Sequence, residues 1–250
     1  MITFPNSNFR KLLRTSTGLK GHRDALLLLA YWKNFRDGVR FLKTSNSQIS
    51  QDVFVLLESM TRGKVNSGFF VEFGAADGIT LSNTLLLERN FGWNGILAEP
   101  AVSWHESLSK NRKCKIDFRC VHSNSGVELP FEETTDALFS TQYSYLSNDL
   151  HHDLRRDSCS YSVESVSLND LLSYHDAPID INYMSIDTEG SELEILSHFN
   201  FSKYKIGIIT VEHNFGDNRT EINRLLLSNG YRQIHRYISL FDDWYVLVKN

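Results

Sequence analysis

The sequence predicts an α/β fold with a mostly parallel, doubly wound sheet, and three observations support it. A short apolar strand, "FFVEF" (69–73), runs into a turn of small residues and then into a helix-length segment. A second apolar strand, "GWNGILAEP" (92–100), completes a strand–helix–strand unit within roughly thirty residues. The alternation recurs along the chain, and the last two strands follow each other directly, as in an antiparallel hairpin. We therefore expect a Rossmann-like sheet of seven strands.

The first half of the chain divides into elements by its hydrophobic spacing. Segments 22–35 and 47–60 carry apolar residues at helical intervals, so residues 1–60 are predicted to be a helical N-terminal extension. Ser47 or Ser50 is the expected N-cap of the second helix. The elements predicted after the first strand are helices at 80–91 and 105–111 and strands at 92–100 and 114–123.

The second half continues the same pattern. "VESVSLNDLLSYH" (163–175) passes from extended to helical, with Ser167 or Asn169 as a cap, and the helix of "NRTEINRLLLSNGY" ends at Asn229-Gly230. The remaining predicted elements are strands at 181–187 and 204–213, a helix at 190–199, and hairpin strands at 231–237 and 243–250. The alternation of strands with helices predicts a mostly parallel sheet closed by an antiparallel edge.

Residues 61–250 are predicted to form the sheet domain, with an insertion at 126–162. The insertion has no clean hydrophobic period and is rich in Ser, Thr, Tyr and His. Connections of this length without a regular pattern are usually functional covers or disordered segments. We expect a lid over a site, and a disordered insertion is the alternative.

Composition indicates an ordinary globular chain. Of the 250 residues, 41% are hydrophobic and 22% charged, and no run approaches the roughly 20 apolar residues that span a bilayer. The three cysteines, Cys114, Cys120 and Cys159, fit no paired spacing, and no secretion signal precedes them. These features predict a reduced, cytoplasmic protein.

Charge is distributed unevenly along the chain. Residues 1–45 carry a net +7 against −4 for the whole chain, so the remainder carries −11. A basic arm of this kind could contact a phosphate-bearing acceptor or, peripherally, a membrane surface. A solvated helix face is the alternative. Nucleic acid is not expected, because few aromatic residues are interleaved with the basic ones and the net charge is negative.

The turn after the first strand, "GAADG", suggests a nucleotide-like ligand. Small residues at the end of a parallel strand let a ligand approach the backbone, but the glycines Gly74 and Gly78 do not form the GxGxxG pattern of dinucleotide binders. Glu72 and Asp77 would repel a pyrophosphate and suit an ammonium group, and Glu99, which ends the second strand, could bind a ribose diol. Together they indicate S-adenosylmethionine. Alternatively, Glu72 is a salt-bridged strand acid and Asp77 a turn former.

The chain resembles the FkbM family of class I S-adenosylmethionine-dependent methyltransferases over roughly residues 45–250. The stretches that carry the resemblance, in the family's order, are "SQISQDVF" (47–54), "FVEFGAADGITLSNT" (70–84), "GWNGILAEP" (92–100), "SVSLNDLL" (165–172), "MSIDTEGSELEIL" (184–196) and "VEHN" (211–214). Neither residues 1–45 nor the insertion matches obviously. The resemblance implies a class I methyltransferase fold with that cofactor.

The resemblance also implies roles for individual residues. The turn that shapes the methionine end of the cofactor consists of Glu72, Gly74, Ala75, Asp77 and Gly78. Ser82 and Asn83 would bind the carboxylate, and Glu99 beside Pro100 the ribose. Residues 120–123, with Val121 and His122, would border the adenine. Gln48 and Asp52 would face the cofactor or the acceptor, unless they lie on a surface helix.

Four polar residues follow the fourth and fifth strands of the main sheet and are candidates for catalysis: Asp187, Glu189, Glu212 and His213. Asp187 would lie beside the transferred methyl group and border the cofactor. Asp187 and Glu189 could act as a general base and its partner, or as ligands of Mg²⁺. His213 could be the base, or a core or capping histidine. Glu192 and Glu194 are expected to be solvated, as are His151 and His152 of the insertion.

A cluster of bases favours O-methylation, since an alcohol acceptor needs proton removal more than an amine does. The resemblance implies a small-molecule or glycan acceptor, such as a sugar hydroxyl of a surface glycan or a glycosylated natural product. Two alternatives remain open. The acceptor could be nucleic acid or protein, or the chain could be a non-catalytic module that binds an adenosyl ligand.

Overall fold

A computed structural model of the protein describes residues 17–134, 141–142, 158–188 and 190–248. Three helices come first: α1 (Thr17–Ala30), α2 (Phe35–Leu42) and α3 (Gln51–Thr61), with a 3-10 turn at Trp32–Asn34 between α1 and α2. The predicted helical character is confirmed for residues 17–60, and residues 1–16 of the predicted extension lie outside the described residues. Ser50 stands at the N-cap position of α3, but its hydroxyl donates to Asp24 Oδ1 (2.6 Å) instead of capping the helix. No helix within the described ranges is long and apolar enough to cross a membrane.

The main sheet has seven strands in the order β10-β11-β9-β8-β1-β2-β3, and β11 runs antiparallel to both of its neighbours. The strands are β1 (Phe69–Phe73), β2 (Asn94–Ala98), β3 (Lys115–Asp117), β8 (Asp180–Ile186), β9 (Lys205–Glu212), β10 (Tyr231–Ile234) and β11 (Asp242–Leu247). The predicted mostly parallel seven-stranded sheet with a C-terminal antiparallel hairpin is confirmed. Because β1 lies between β2 and β8, the turn after β1 lies at the middle of the sheet's carboxyl edge.

Five helices connect these strands: α4 (Leu85–Phe91), α5 (His105–Asn111), α6 (Leu168–Tyr174), α7 (Glu192–Ser197) and α8 (Arg219–Ser228). The predicted cap of α6 is confirmed, because Ser167 Oγ accepts the backbone N–H of Asp170 (3.1 Å). At the end of α8, Gly230 adopts a left-handed conformation with φ of +85°, as the Asn-Gly pair predicted.

A second, four-stranded sheet lies beside the first and was not predicted. Its strands are β4 (Cys120–His122), β5 (Glu128–Thr134), β6 (Thr141–Gln142) and β7 (Ser158–Ser167), in the order β4-β7-β5-β6. The single strand predicted at 114–123 breaks at Phe118 and Arg119, so that β3 pairs with β2 and β4 pairs with β7. The ends of the predicted insertion are thus strands. Residues 135–140 and 143–157 lie outside the described residues, and the lid stays a prediction.

Two hydrophobic clusters cover the two faces of the main sheet. One joins one face of β1, β2, β8 and β9 to α6, α7 and α8, and the other joins the opposite face of the same strands, with β11, to α3, α4 and α5. Residues 53–57 of α3 are completely buried, and Phe54 stacks on Trp244 of β11 with a centroid distance of 4.5 Å. The last helix of the predicted N-terminal extension therefore belongs to the main core, which ties residues 45–52 to the carboxyl edge of the sheet.

Candidate active site

The turn after β1 is wound so tightly that a side chain at Gly74 would not fit. Gly74 has φ of +69°, and a Cβ there would lie 2.1 Å from the backbone oxygen of Asp187. Ala76 and Gly78 also have positive φ, of +47° and +77°. A non-glycine residue in this region costs about 1 kcal/mol or more, so the strained Ala76 needs a compensating contact. The turn brings Asp187, which ends β8, against the end of β1, as the sequence predicted.

Glu99 supplies that contact. Its carboxylate accepts the N–H of Ala76 at Oε2 and the N–H of Ala101, just beyond Pro100, at Oε1, both at 2.8 Å. Burial raises the pKa of Glu99 to about 7, against the effect of these hydrogen bonds, and the charges of Glu133 and Asp187 raise it further. Each oxygen keeps a second lone pair, so Glu99 can hold the turn and still accept a hydroxyl group.

Glu72 points into the protein and not into an open site. Its carboxylate accepts the N–H of Asn83 (2.7 Å) and the hydroxyls of Ser82 and Thr84, and Arg112 lies 3.8 Å away. Burial raises the pKa of Glu72, while Arg112 and the hydrogen bonds lower it. These contacts favour the alternative interpretation of Glu72 as a salt-bridged strand acid. Glu72 therefore fixes residues 82–84, in the loop that follows the turn after β1.

Asp77 likewise stabilises the turn. Its Oδ1 accepts the N–H groups of Ile79 (2.8 Å) and Thr80 (2.6 Å), and its Oδ2 accepts the hydroxyl of Thr80. This is the local bonding of an Asx turn. The contacts of Asp77 therefore favour the turn-forming interpretation over a direct contact with an ammonium group.

Arg112, at the C-terminal end of α5, organises the same loop and was missed by sequence reasoning. Its guanidinium donates to Glu88 (2.7 Å), to the hydroxyls of Thr84 (2.9 Å) and Ser82 (3.1 Å), and to the backbone oxygen of Gly78 (3.2 Å). The side chain is completely buried. Since it stands in the basic stretch "KNRKCK", the sequence offers no signal that separates it from its exposed neighbours.

Asn83 presents an unused acceptor at the edge of the site. Its Nδ2 donates to Ser185 Oγ of β8 (2.9 Å), which fixes the orientation of the amide. Its Oδ1 is buried and has no hydrogen-bond partner among the described residues. A buried acceptor without a partner is uncommon and costs stability, so it calls for an explanation. A ligand with an N–H donor would satisfy it.

Several carboxyl groups gather around Asp187, which is half-buried at the end of β8. Burial raises the pKa of Asp242, at the start of β11, to about 7, and it raises that of Glu192; in both cases the charge of Asp187 adds to the shift. Asp242 accepts Gln51 Nε2 at 2.8 Å. The carboxyl edge of the sheet is therefore crowded with buried carboxyl groups around the half-buried Asp187, and a bound cation would favour their ionised forms.

One expectation about nearby acids is wrong, and one alternative is excluded. Glu192 is buried and not solvated: its Oε1 accepts the N–H groups of Thr188 (3.1 Å) and Gly190 (3.0 Å) and so closes the loop before α7. Asp52 does not lie on a surface helix, because it is fully buried and accepts the hydroxyls of Ser45 and Ser47. Gln48 lies before α3, in the segment that these bonds hold, next to the bridge between Ser47 and Leu81.

His213 is enclosed by protein on both sides of its ring. Its Nδ1 accepts the N–H of Phe215 (2.9 Å). Its Nε2 has no hydrogen-bond partner among the described residues and lies 3.6 Å from Asp243 Oδ1, which also binds Arg219 at 2.7 Å. Burial lowers the pKa of His213 to about 4, although Asp243 acts in the opposite direction. This arrangement favours the capping interpretation over a general base. Glu212, next to it, is buried.

The residues predicted to border an adenine lie on β4. Cys120 and Val121 are buried, and the charge of Glu99 contributes to raising the pKa of the Cys120 thiol to about 12, after burial itself. Glu99 and β4 are thus close enough to serve one ligand. Beyond Val121, the hydroxyl of Ser123 contacts His122 Nδ1 (3.0 Å) and donates to Glu194 (2.7 Å).

Nothing in the described part of the chain supports the predicted Mg²⁺ site. No group of three or more His, Cys, Asp or Glu side chains there has a metal-binding arrangement. Glu189, the proposed partner of Asp187, lies outside the described residues, as do His151 and His152.

The strand order and the polar turn at the end of β1 define a class I methyltransferase fold. The model of the methyltransferase FkbM domain family matches residues 72–233, more than half of the chain. The chain belongs to the FkbM methyltransferase family. A comparison with curated proteins finds no match.

Two solved structures are similar at low identity. A ribosomal protein L11 methylase from Lactobacillus delbrueckii subsp. bulgaricus is 11% identical, with 80% of this chain and 79% of that chain covered and a TM-score of 0.40. A proposed RNA methyltransferase from Pyrococcus horikoshii is also 11% identical, with 80% and 82% covered and a TM-score of 0.39. Similarity at this level carries no argument about the acceptor.

Proposed function

We propose that this methyltransferase uses S-adenosylmethionine bound across the carboxyl ends of β1, β2 and β8, and transfers the methyl group to a hydroxyl. The observation that carries the proposal is the cluster of carboxyl groups around Asp187, together with the unpartnered Oδ1 of Asn83, whose amide binds Ser185 of β8. A sulfonium cation with an ammonium group complements both features. The residues present therefore fit the cofactor that the family implies.

Particular residues would hold each part of this cofactor. Asn83 Oδ1 would accept from the ammonium group, Glu99 would accept from the ribose hydroxyls, and Val121 would border the adenine. The bound cofactor supplies an electrophilic methyl group on sulfur. Glu72 and Asp77, which sequence reasoning placed on the cofactor, act instead by holding the turn that presents these groups.

Asp187 is the proposed proton acceptor. It is half-buried and stands where β8 ends against the cofactor turn, whereas both ring nitrogens of His213 face protein groups. A carboxylate in this position can orient an acceptor hydroxyl and take its proton as the methyl group is transferred. A cationic cofactor would lower the raised pKa values of the neighbouring acids and favour their ionised forms, so the site would prefer it over its neutral-sulfur product.

We infer a sugar or glycoconjugate hydroxyl as acceptor, on the strength of the family and of the carboxylate at the end of β8. Nucleic acid fits less well, since the chain outside residues 1–45 carries a net charge of −11. The acceptor can be searched for by following transfer of a labelled methyl group to monosaccharides, nucleotide-sugars and lipid-linked glycans. A protein that binds the cofactor and labels none of these, but labels RNA or protein, would contradict the sugar assignment.

Asp187→Asn tests the base directly. Turnover is expected to fall by about 100-fold or more, while affinity for S-adenosylhomocysteine changes only a few-fold, because the product sulfur carries no charge. Asp176→Asn is the matched control, since Asp176 lies in the turn after α6, away from the carboxyl edge. Unchanged turnover in Asp187→Asn would remove Asp187 from this role.

A further inference from the structure

The first two helices form a projecting surface on which apolar and basic side chains are both exposed. Leu26, Leu29, Trp32 and Phe35 are all solvent-exposed, Leu29 by 63% and Trp32 by 68%. Exposed basic side chains accompany them: Lys33, Arg36, Arg40 and Lys43. We call these eight residues the arm surface. None of them is part of the active site described above.

The arm surface is held in place from behind. Leu27, Leu28 and Tyr31 are buried on the opposite side of α1, and the Tyr31 hydroxyl donates to Glu58 of α3 at 2.9 Å. Gly38 lets α2 approach closely, because a Cβ there would lie 2.3 Å from Leu28 and 3.4 Å from Leu57. The exposed apolar side chains therefore lie on helices that are packed on their other side, and they cannot turn into the core. Their exposure has a cost, which a binding partner would offset.

We propose that the arm surface docks on the anionic face of a lipid bilayer. Aliphatic and aromatic side chains on one side with Lys and Arg beside them are the pattern of an interfacial helix, and Trp prefers the level of the lipid headgroups. Charge complementarity supports the same partner: residues 1–45 carry +7, and the remainder, at −11, would be repelled from the bilayer. This asymmetry sets which side of the protein faces the lipid.

α1, which carries part of the arm surface, also contacts the carboxyl edge of the sheet through residues outside that surface. The buried Arg23 of α1 interacts electrostatically with Asp242 at this edge, and the hydroxyl of Ser50 joins Asp24 to the start of α3. These contacts link α1 to the site without using any residue of the arm surface.

Vesicle binding by the full chain tests the proposal without cofactor or acceptor, so its outcome is independent of the proposed reaction. We expect co-sedimentation with vesicles of phosphatidylglycerol and phosphatidylcholine, weaker binding in high salt, and little binding to phosphatidylcholine alone. Arg36→Glu with Arg40→Glu should weaken binding by about 25-fold or more, at roughly fivefold for each basic residue removed. Trp32→Ala with Phe35→Ala should weaken it on the order of tenfold or more.

Two matched controls use exposed residues elsewhere. Tyr174→Ala with Ile179→Ala removes apolar surface near the amino end of β8, and Lys64→Glu with Arg89→Glu reverses exposed charges outside the arm surface. Both pairs should bind vesicles like the wild type. All variants change exposed side chains, and a thermal melt checks that they fold.

Three outcomes would overturn the proposal. Equal loss of binding in arm and control variants would show general charge attraction instead of a docking surface. A dimer that Trp32→Ala with Phe35→Ala dissociates, together with absence of vesicle binding, would make the arm surface an interface between two copies. Binding of a labelled RNA oligomer through Arg36 and Arg40, again without vesicle binding, would assign the surface to nucleic acid.

Discussion

Replacing Arg112 with methionine should destabilise the protein, because the buried carboxylate of Glu72 loses its neighbouring cation. Arg112 is the cation near Glu72, and both side chains are almost completely buried. Methionine keeps the unbranched apolar stem of the side chain up to the position of the arginine Nε, but not the guanidinium, which lies 5.6 Å from the ring of Phe70. The substitution therefore removes the charge, its hydrogen bonds and its contact with that ring, while the stem still packs.

The size of the destabilisation follows from the carboxylates that the substitution leaves buried. Removing one partner of a buried ion pair typically costs about 3–5 kcal/mol, because the other charge is left uncompensated. The Glu88 side chain is 13% exposed and that of Glu72 only 5%, so the larger share of the cost falls on Glu72. Burial already raises the pKa of Glu72 and Arg112 lowers it, so loss of Arg112 raises it further. Acidification then protonates Glu72, and the penalty should shrink between pH 7 and pH 5.

Urea unfolding followed by tryptophan fluorescence measures the effect. Arg112→Met should lower the free energy of unfolding at pH 7 by about 3–5 kcal/mol, and adding Glu72→Gln should recover at least about 1 kcal/mol. Lys113→Met, at the exposed neighbouring position, should change little. A penalty below about 1 kcal/mol, or one that Glu72→Gln leaves unchanged, would refute the view that this pair supports the cofactor turn.

Two further predictions concern the same turn. Gly74→Ala should lower the free energy of unfolding by about 2–4 kcal/mol, because of the left-handed backbone and the overlap with the Asp187 oxygen. Gly92→Ala, with φ of +64° but open space around it, should lower it by about 1 kcal/mol. Equal losses of stability in urea unfolding would show that the overlap has no effect. Glu99→Gln tests the carboxyl whose pKa burial raises from 4.5 to about 7. A raised carboxyl pKa means that the folded state binds the proton more tightly, so the wild type should gain up to about 3 kcal/mol relative to the variant as the pH falls from 8 to 4.5. A constant difference across that range would contradict the buried, shifted carboxyl.

Much of the fold could be predicted because strand and helix periodicity is local. The seven strands, the hairpin and the caps at Ser167 and Gly230 follow from spacing and turn chemistry that a short window contains. The second sheet could not be predicted in this way, because β5 and β7 are paired across a segment of the insertion that has no clear alternation. The break at Phe118 and Arg119 depends on which partner strand each half meets, β2 or β7.

The sequence predicted the positions of the site residues better than it predicted their roles. The sequence placed Glu72 inside the first strand and Glu99 and Asp187 at strand ends correctly, but it could not say which way each carboxylate points. Glu72 is turned inward by Arg112, whose distance in sequence is 40 residues and whose neighbours in sequence are exposed. Asp242 enters the site from the hairpin through long-range packing and a hydrogen bond to Gln51, 191 residues away in sequence. Such contacts leave no local signal.

The central claim is that the carboxyl-rich edge around Asp187 binds S-adenosylmethionine, and calorimetric titration tests it most directly. We expect one-site binding in the micromolar range, about −8 kcal/mol. Raising the pH from 6 to 8 should strengthen binding of S-adenosylmethionine more than that of S-adenosylhomocysteine, because Glu99 and Asp242, whose pKa values burial raises to about 7, ionise near the sulfonium. A folded protein that binds neither ligand, or binds both with the same pH dependence, would contradict the account.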